Sequence, residues 1–111
     1  MSSIASSAIP AAALTIAQRL SASLYPDRIW LFGSHARGDA TPDRDLDFLV
    51  VIPQSADSRY RRAVKARALV TELRVPKDII VLTREEWTNE LRVPSSLAST
   101  VLREGVSLYG S

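Results

Sequence analysis

Hydrophobic positions recur along the chain with two periods, near 3.6 residues where helices are expected and near 2 where strands are. After Pro10, which fits the first turn of a helix, Leu14, Ala17, Leu20 or Ser21, and Leu24 follow at three- and four-residue steps. Tyr25-Pro26-Asp27 closes that helix. Arg28 to Phe32 is a short apolar run stopped by Gly33 and reads as a buried strand. A polar, Gly- and Pro-bearing segment runs from Ser34 to Arg44. Leu46 to Ile52, rich in β-branched types and closed by Pro53, is the second strand. Asp57 or Ser58 can cap a helix expected to reach about Arg74, with Tyr60, Ala63, Ala66 or Arg67, Val70 and Leu73 inward. Val75-Pro76 breaks it. Asp78 to Leu82 is a third strand, and Thr83 with Glu86 forms a capping box for a short helix through about Leu91. Pro94 starts another helix, with Leu97, Val101 and Leu102 inward and Gly105 as its stop, and Val106 to Tyr109 adds a last short strand.

Connection lengths then constrain the sheet. Only twelve residues separate Phe32 from Asp45, barely enough for a crossover helix, so the first two strands are expected to run antiparallel. From Ile52 to Asp78 there is room for a full helix and hence a right-handed parallel crossover. The expected fold class is α/β (α+β), a small mixed sheet with helices packed on it. In that arrangement the end of the first strand and the starts of the second and third meet on one edge, which carries Gly33, Ser34, Asp45, Asp47 and Asp78.

Composition narrows the chemistry. The 111 residues suit one domain, 1–111, and 46% hydrophobic residues supply an ordinary core. Fourteen Lys and Arg against twelve Asp and Glu leave a net charge of +2, too small to imply nucleic-acid binding. No cysteine and a single histidine exclude thiolate zinc sites, thiol nucleophiles and His-rich metal sites. Any metal must be held by oxygen, which favours Mg²⁺ or Mn²⁺. No apolar run reaches the ~18 residues of a membrane span. The Ser/Ala-rich start, Met1 to Ala17, carries no basic residue before Arg19 and so resembles neither a secretory signal nor a transit peptide. A cytoplasmic location is expected.

Strand alternation points Asp45 and Asp47 to one face and Leu46 and Phe48 to the other, and Asp78 can join the pair across the sheet. Three anions at the rim of an apolar sheet repel one another, and a bound divalent cation relieves that repulsion. An isolated acid pair at a strand entrance is more often a solvated start. Gly33-Ser34 lets a ligand approach the backbone closely, and amides with the Ser34 hydroxyl suit phosphate oxygens, although such a pair alone is commonly a plain turn. Gly33 to Gly38 has P-loop spacing, but Asp39-Ala40 stands where Lys and Ser or Thr are required, so it is no P-loop. The conjunction of turn, same-face acid pair and third acid is what makes the edge a candidate site.

That conjunction resembles the nucleotidyltransferase superfamily of DNA polymerase beta and kanamycin nucleotidyltransferase, and most closely its minimal nucleotidyltransferase, or MNT, branch. Trp30 to Val51, WLFGSHARGDATPDRDLDFLVV, matches the family's Gly-Ser and D-x-D segment, Asp78 in KDIIVLT stands where the family places its third carboxylate, and REGVSLYG is similar to that branch's ending. The resemblance implies a polymerase beta-like core. It further implies that Gly33 and Ser34 grip nucleotide phosphates, that Asp45 and Asp47 hold two Mg²⁺ ions (Mn²⁺ being possible), and that Asp78 completes one metal site and activates the attacking hydroxyl. The implied reaction moves a nucleoside monophosphate, AMP from ATP, to an acceptor hydroxyl. With the core using nearly the whole chain, the acceptor is expected to be recognised by a second chain or by oligomerisation. MNT proteins of this kind are paired with a HEPN protein, an all-helical RNase toxin, so the resemblance implies an antitoxin that adenylylates a toxin tyrosine within a hetero-oligomer, without direct nucleic-acid binding. Two alternatives are an antitoxin that neutralises by occlusion alone, and the catalytic subunit of a small-molecule nucleotidyltransferase.

Several further features stand beside that motif. Many members carry serine where this chain has Arg44, which could pair with Asp43 or Asp45 and compete with metal, or reach triphosphate. Arg37 is expected to meet phosphate or an acid of the fork, since guanidinium matches both. His35 reads as an exposed turn residue without a partner. The basic run Arg59, Arg61, Arg62, Lys65, Arg67 and Arg74 reads as a solvated face, with an acidic partner or RNA as the alternative. Trp30 and Phe32 are most simply core, and Trp87 is half-buried packing or an interface anchor.

Overall fold

The computed structural model describes residues 9–41 and 43–110, so part of the Ser/Ala-rich start that the targeting argument used lies outside the described residues. In chain order the elements are α1 (Ala11–Leu24), β1 (Arg28–Phe32), α2 (Ser34–Arg37), β2 (Leu46–Ile52), α3 (Arg59–Ala68), β3 (Lys77–Thr83), α4 (Arg84–Leu91), α5 (Leu97–Glu104) and β4 (Val106–Tyr109). The four strands form one sheet in the order β3-β2-β1-β4. β1 runs antiparallel to both β2 and β4, while β2 and β3 are parallel, joined through α3. Both expectations from connection length hold, and the short connection between β1 and β2 folds its first residues into the one-turn α2.

Register fixes which side chains share a face. Phe32 pairs with Asp47 and Asp47 with Asp78, and one pleat further Trp30 pairs with Leu49 and Leu49 with Ile80. The opposite face carries Ile29, Leu31, Phe48, Val50, Ile79 and Val81, all buried against Ala13, Ile16, Ala17 and Leu20 of α1 and against Ala66 and Val70. Full burial of a side chain such as Phe48 contributes about 1.5–3 kcal/mol, so this face is the main core. A smaller cluster of Trp30, Leu49, Val51, Leu82 and Val101 covers the site-bearing face, where Trp87 stacks on Trp30 with ring centroids 6.0 Å apart.

Several inward faces differ from the sequence pattern. In α1 the buried stripe is Ala13, Ile16, Ala17 and Leu20, and Leu14 is exposed, because the helix turns its alanine side toward the sheet for close approach. α3 ends at Ala68 rather than near Arg74 and continues as turns, with Val70 still buried. Its Tyr60 lies outside and its Arg62 inside, the reverse of the apolar-face reading. In α5, Ala98, Ser99 and Val101 point inward, and Leu97 and Leu102 do not. Ser99 is satisfied there, its hydroxyl donating to the Val93 carbonyl at 2.8 Å. The capping box is present as expected: the Thr83 hydroxyl accepts from the Glu86 amide, and Glu86 accepts from the Thr83 amide. No helix among the described residues is long and apolar enough to cross a membrane.

Candidate active site

Gly33 ends β1 with φ 77° and ψ −156°, a conformation that disfavours every other residue. The reason lies across the sheet. A Cβ at this position would collide with the Asp47 carboxylate, which packs directly over the Gly33 backbone. The Gly33 carbonyl accepts from the Ala36 and Arg37 amides, each at 3.1 Å, and so winds α2. Ser34 opens that turn half-buried, and its hydroxyl has no hydrogen-bond partner among the described residues.

Asp47 is half-buried on β2, with Asp78 beside it in register on β3; Asp45 stands just before β2 rather than on it, so strand alternation does not set its direction, and its charge acts on Asp47. Burial pushes the Asp47 carboxyl above its usual range, and the like charges of Asp78 and Asp45 push it further. His35 and Arg37 pull in the other direction. Asp45 and Asp78 are exposed. Among the described residues no three acidic or histidine side chains are already gathered into a metal cage. The chemistry of the donors nevertheless suits a hard divalent cation. They are all oxygen, the charges of Asp45 and Asp78 act on the half-buried Asp47, and neither Asp45 nor Asp47 forms an ion pair within the described chain.

The flanking cations are not all where the pattern suggested. Arg37 pairs with Asp39, Nε to Oδ2 3.3 Å, rather than with the fork. The Thr41 hydroxyl, a backbone hydrogen bond and, after them, the Arg44 charge hold the Asp43 carboxyl below its usual range, but Arg44 forms no ion pair with Asp43 or Asp45 among the described residues. It lies on the Leu46 side of the backbone, where it lines a hollow with Pro10, His35, Leu46 and Val75. His35 does have a partner, with Nε2 3.0 Å from the Arg44 carbonyl, so it ties α2 to the start of β2.

The solvated-face reading of the basic run holds for Arg59, Arg61, Lys65, Arg67 and Arg74, which are exposed, and fails for Arg62. Arg62 is buried, forks onto Glu86 at 2.7 and 3.0 Å, and donates to the Val81 carbonyl at 2.8 Å. Arg59 reaches Glu90 at 3.0 Å, and Lys65 reaches Asp57 at 2.7 Å. Arg67 stands 3.6 Å from Asp78, a neighbour of the third carboxylate that the sequence offered only as an alternative to Ala66 on the inward face and as a member of the basic run.

Residues 13–107 match a family model described as a nucleotidyltransferase domain. The chain belongs to the nucleotidyltransferase domain family. Among solved structures, a Sulfolobus solfataricus protein provisionally described as a nucleotidyltransferase superposes with TM-score 0.60 at 22% identity, over 89% of this chain and 78% of that one. A toxin–antitoxin structure with AMP-PNP gives TM-score 0.56 at 24% identity, over 88% and 73%. The MntA-HepT toxin–antitoxin structure gives 0.53 at 23%, over 87% and 68%. At such identities the likeness is one of fold. No curated protein matches the sequence. This nucleotidyltransferase thus has a mixed four-stranded sheet with Gly33, Asp47 and Asp78 on one edge of its strands.

Proposed function

We propose that this nucleotidyltransferase is an antitoxin that transfers AMP from ATP to a tyrosine of a partner HEPN toxin. The observation that carries the reading is the juxtaposition of the Gly33-Ser34 turn with two carboxylates in register, Asp47 and Asp78, and with the charge of a third, Asp45, acting on Asp47. Similarity to toxin–antitoxin structures, one with AMP-PNP, supports both the partner class and the nucleotide.

Asp45, Asp47 and Asp78 are the residues that would hold Mg²⁺ or Mn²⁺. When bound, the cation neutralises phosphate charge and lowers the barrier to displacement at phosphorus. The remaining work falls to the chain. Gly33 and Ser34 orient the β,γ-phosphates through the free hydroxyl and the close backbone. Arg37, held on Asp39 through an exposed pair, is within electrostatic reach of Asp47 and can turn toward phosphate. Asp78 accepts the proton of the tyrosine hydroxyl as its oxygen bonds to the α-phosphorus and the bond to the β-phosphate oxygen breaks, releasing pyrophosphate. Arg44 lines a hollow with His35 and Leu46 and forms no ion pair with Asp45 or Asp47 among the described residues, which supports transfer over neutralisation by occlusion alone.

The test is incubation with ATP, Mg²⁺ and a HEPN chain. The toxin should gain one or more adenylyl groups on tyrosine and stay inactive after the two proteins are separated. Full recovery of toxin activity without a mass change would overturn the reading.

A further inference from the structure

β3 is an edge strand, and along its free side runs a groove of about 320 Å³ between Asp78 and Ile80 on one side and Arg59, Tyr60, Ala63 and Arg67 of α3 on the other. The groove includes Asp78 itself. Tyr60 is 78% exposed and Val64, one turn along α3, is 48% exposed. With Arg61 and Lys65 they line a second hollow, of about 420 Å³, that shares Tyr60 with the first. α3 contains no acid. An exposed aromatic, an exposed β-branched residue and a row of cations thus lead up to the candidate acceptor-side carboxylate.

Resting on the antitoxin reading above, we propose that this groove receives the acceptor segment of the partner protein: an acidic stretch that packs on Tyr60 and Val64, meets Arg61 and Arg67, and delivers its hydroxyl to Asp78. The docking is through side chains. Strand addition to β3 is obstructed because Arg62 already donates to the Val81 carbonyl on that edge strand. Arg67 links docking to chemistry, because a partner carboxylate that takes its guanidinium releases Asp78 from the 3.6 Å pair. A protein fits this strip better than RNA does. Arg59, Lys65 and Arg67 are each paired with a carboxylate of the same chain, which leaves Arg61 as the exposed α3 cation without an ion pair among the described residues. A phosphodiester strand draws its affinity from several free cations, whereas aromatic, apolar and arginine side chains together are the composition of protein hot spots.

The experiment replaces Tyr60→benzoylphenylalanine for photo-crosslinking to a HEPN chain, with the same substitution at exposed Leu14 on α1 as the control. Tyr60 should crosslink to an acidic, tyrosine-bearing segment of the partner, and Leu14 should not. In parallel, Tyr60→Ala and Arg61→Glu should each lower kcat/KM for the protein acceptor about tenfold while the thermal shift produced by ATP with Mg²⁺ is unchanged. A complex that forms and transfers AMP but crosslinks elsewhere overturns the groove and leaves the antitoxin reading standing. Absence of both complex and transfer overturns both. Crosslinking at Tyr60 to copurifying RNA instead of the partner also overturns the proposal.

Discussion

At the scale of single residues the site depends on a glycine and the carboxylate above it. Gly33→Ala places a methyl where the Asp47 carboxylate lies and forces a left-handed φ on a residue with a Cβ, so it should cost about 1–3 kcal/mol and displace Asp47. Thermal unfolding reads the first effect, and loss of nucleotidyl transfer reads the second. Asp47→Asn should act oppositely on the two. Because burial and neighbouring acids raise the Asp47 pKa, its ionised form costs stability in the fold. That cost is full above the raised value and vanishes as the pH falls below the ordinary 3.8, where folded and unfolded chains are both protonated. Asp47→Asn should therefore raise the Tm at pH 7, lose that advantage below pH 3.8, and abolish transfer; an unchanged Tm at pH 7 would contradict the electrostatic account. The meeting of Asp47 with Asp78 was legible in the sequence because the connection lengths set the strand directions, whereas Asp45 stands just before β2, beyond the reach of strand alternation. The Arg37–Asp39 pair and the contact between His35 and the Arg44 carbonyl were not legible. They depend on how α2 winds after Gly33, which no periodicity encodes.

At the scale of elements, the basic run shows where a charge pattern holds and where it stops. Five of its six cations are exposed, as a solvated face requires, and Arg62 alone is buried because Glu86 and the Val81 carbonyl satisfy its guanidinium. Those partners come from β3 and α4, distant in sequence, so the burial of Arg62 could not be inferred from the helix alone. Glu86 does double duty: it closes the capping box of α4 and receives Arg62, which holds its pKa at about 2, below the ordinary 4.5. A depressed carboxylate stabilises above its unfolded value and loses that contribution as pH falls through the folded one. For this partly exposed pair the contribution is on the order of 2 kcal/mol once solvent screening is included. Glu86→Gln should remove it at neutral pH and flatten the acid limb of the stability curve between pH 4.5 and 2. Arg62→Ala should cost about 3 kcal/mol, since it strands Glu86 and the Val81 carbonyl, and the double variant should cost less than the sum. Denaturant titration of the four proteins decides it, and strict additivity would mean that the two side chains act separately.

At the scale of the whole molecule, the sheet separates stability from chemistry. Phe48, Val50, Ile79 and their neighbours on one face form the main core with α1, while the row of Phe32, Asp47 and Asp78 on the other face stays partly open. The acids sit where the β1, β2 and β3 registers meet, so their spacing is inherited from backbone pairing rather than from loops. A nucleotide with its cation bound there should stabilise the folded chain by mass action, by RT ln(1 + [L]/Kd), about 2.7 kcal/mol at a hundredfold excess over Kd. For a domain of this size that corresponds to a rise in Tm of roughly 10 °C. Mg²⁺ or Mn²⁺ with ATP should produce the shift. Asp45→Asn combined with Asp47→Asn should abolish it without unfolding the protein, because both residues lie outside the buried core. Arg44→Ser, by contrast, should leave the shift unchanged, since Arg44 lines the hollow beside His35 and Val75 and makes no ion pair with either acid of the fork. A double variant that retains the full shift would place the cation elsewhere and dissolve the metal assignment, whereas a shift that grows in Arg44→Ser would show that Arg44 competes with the cation after all.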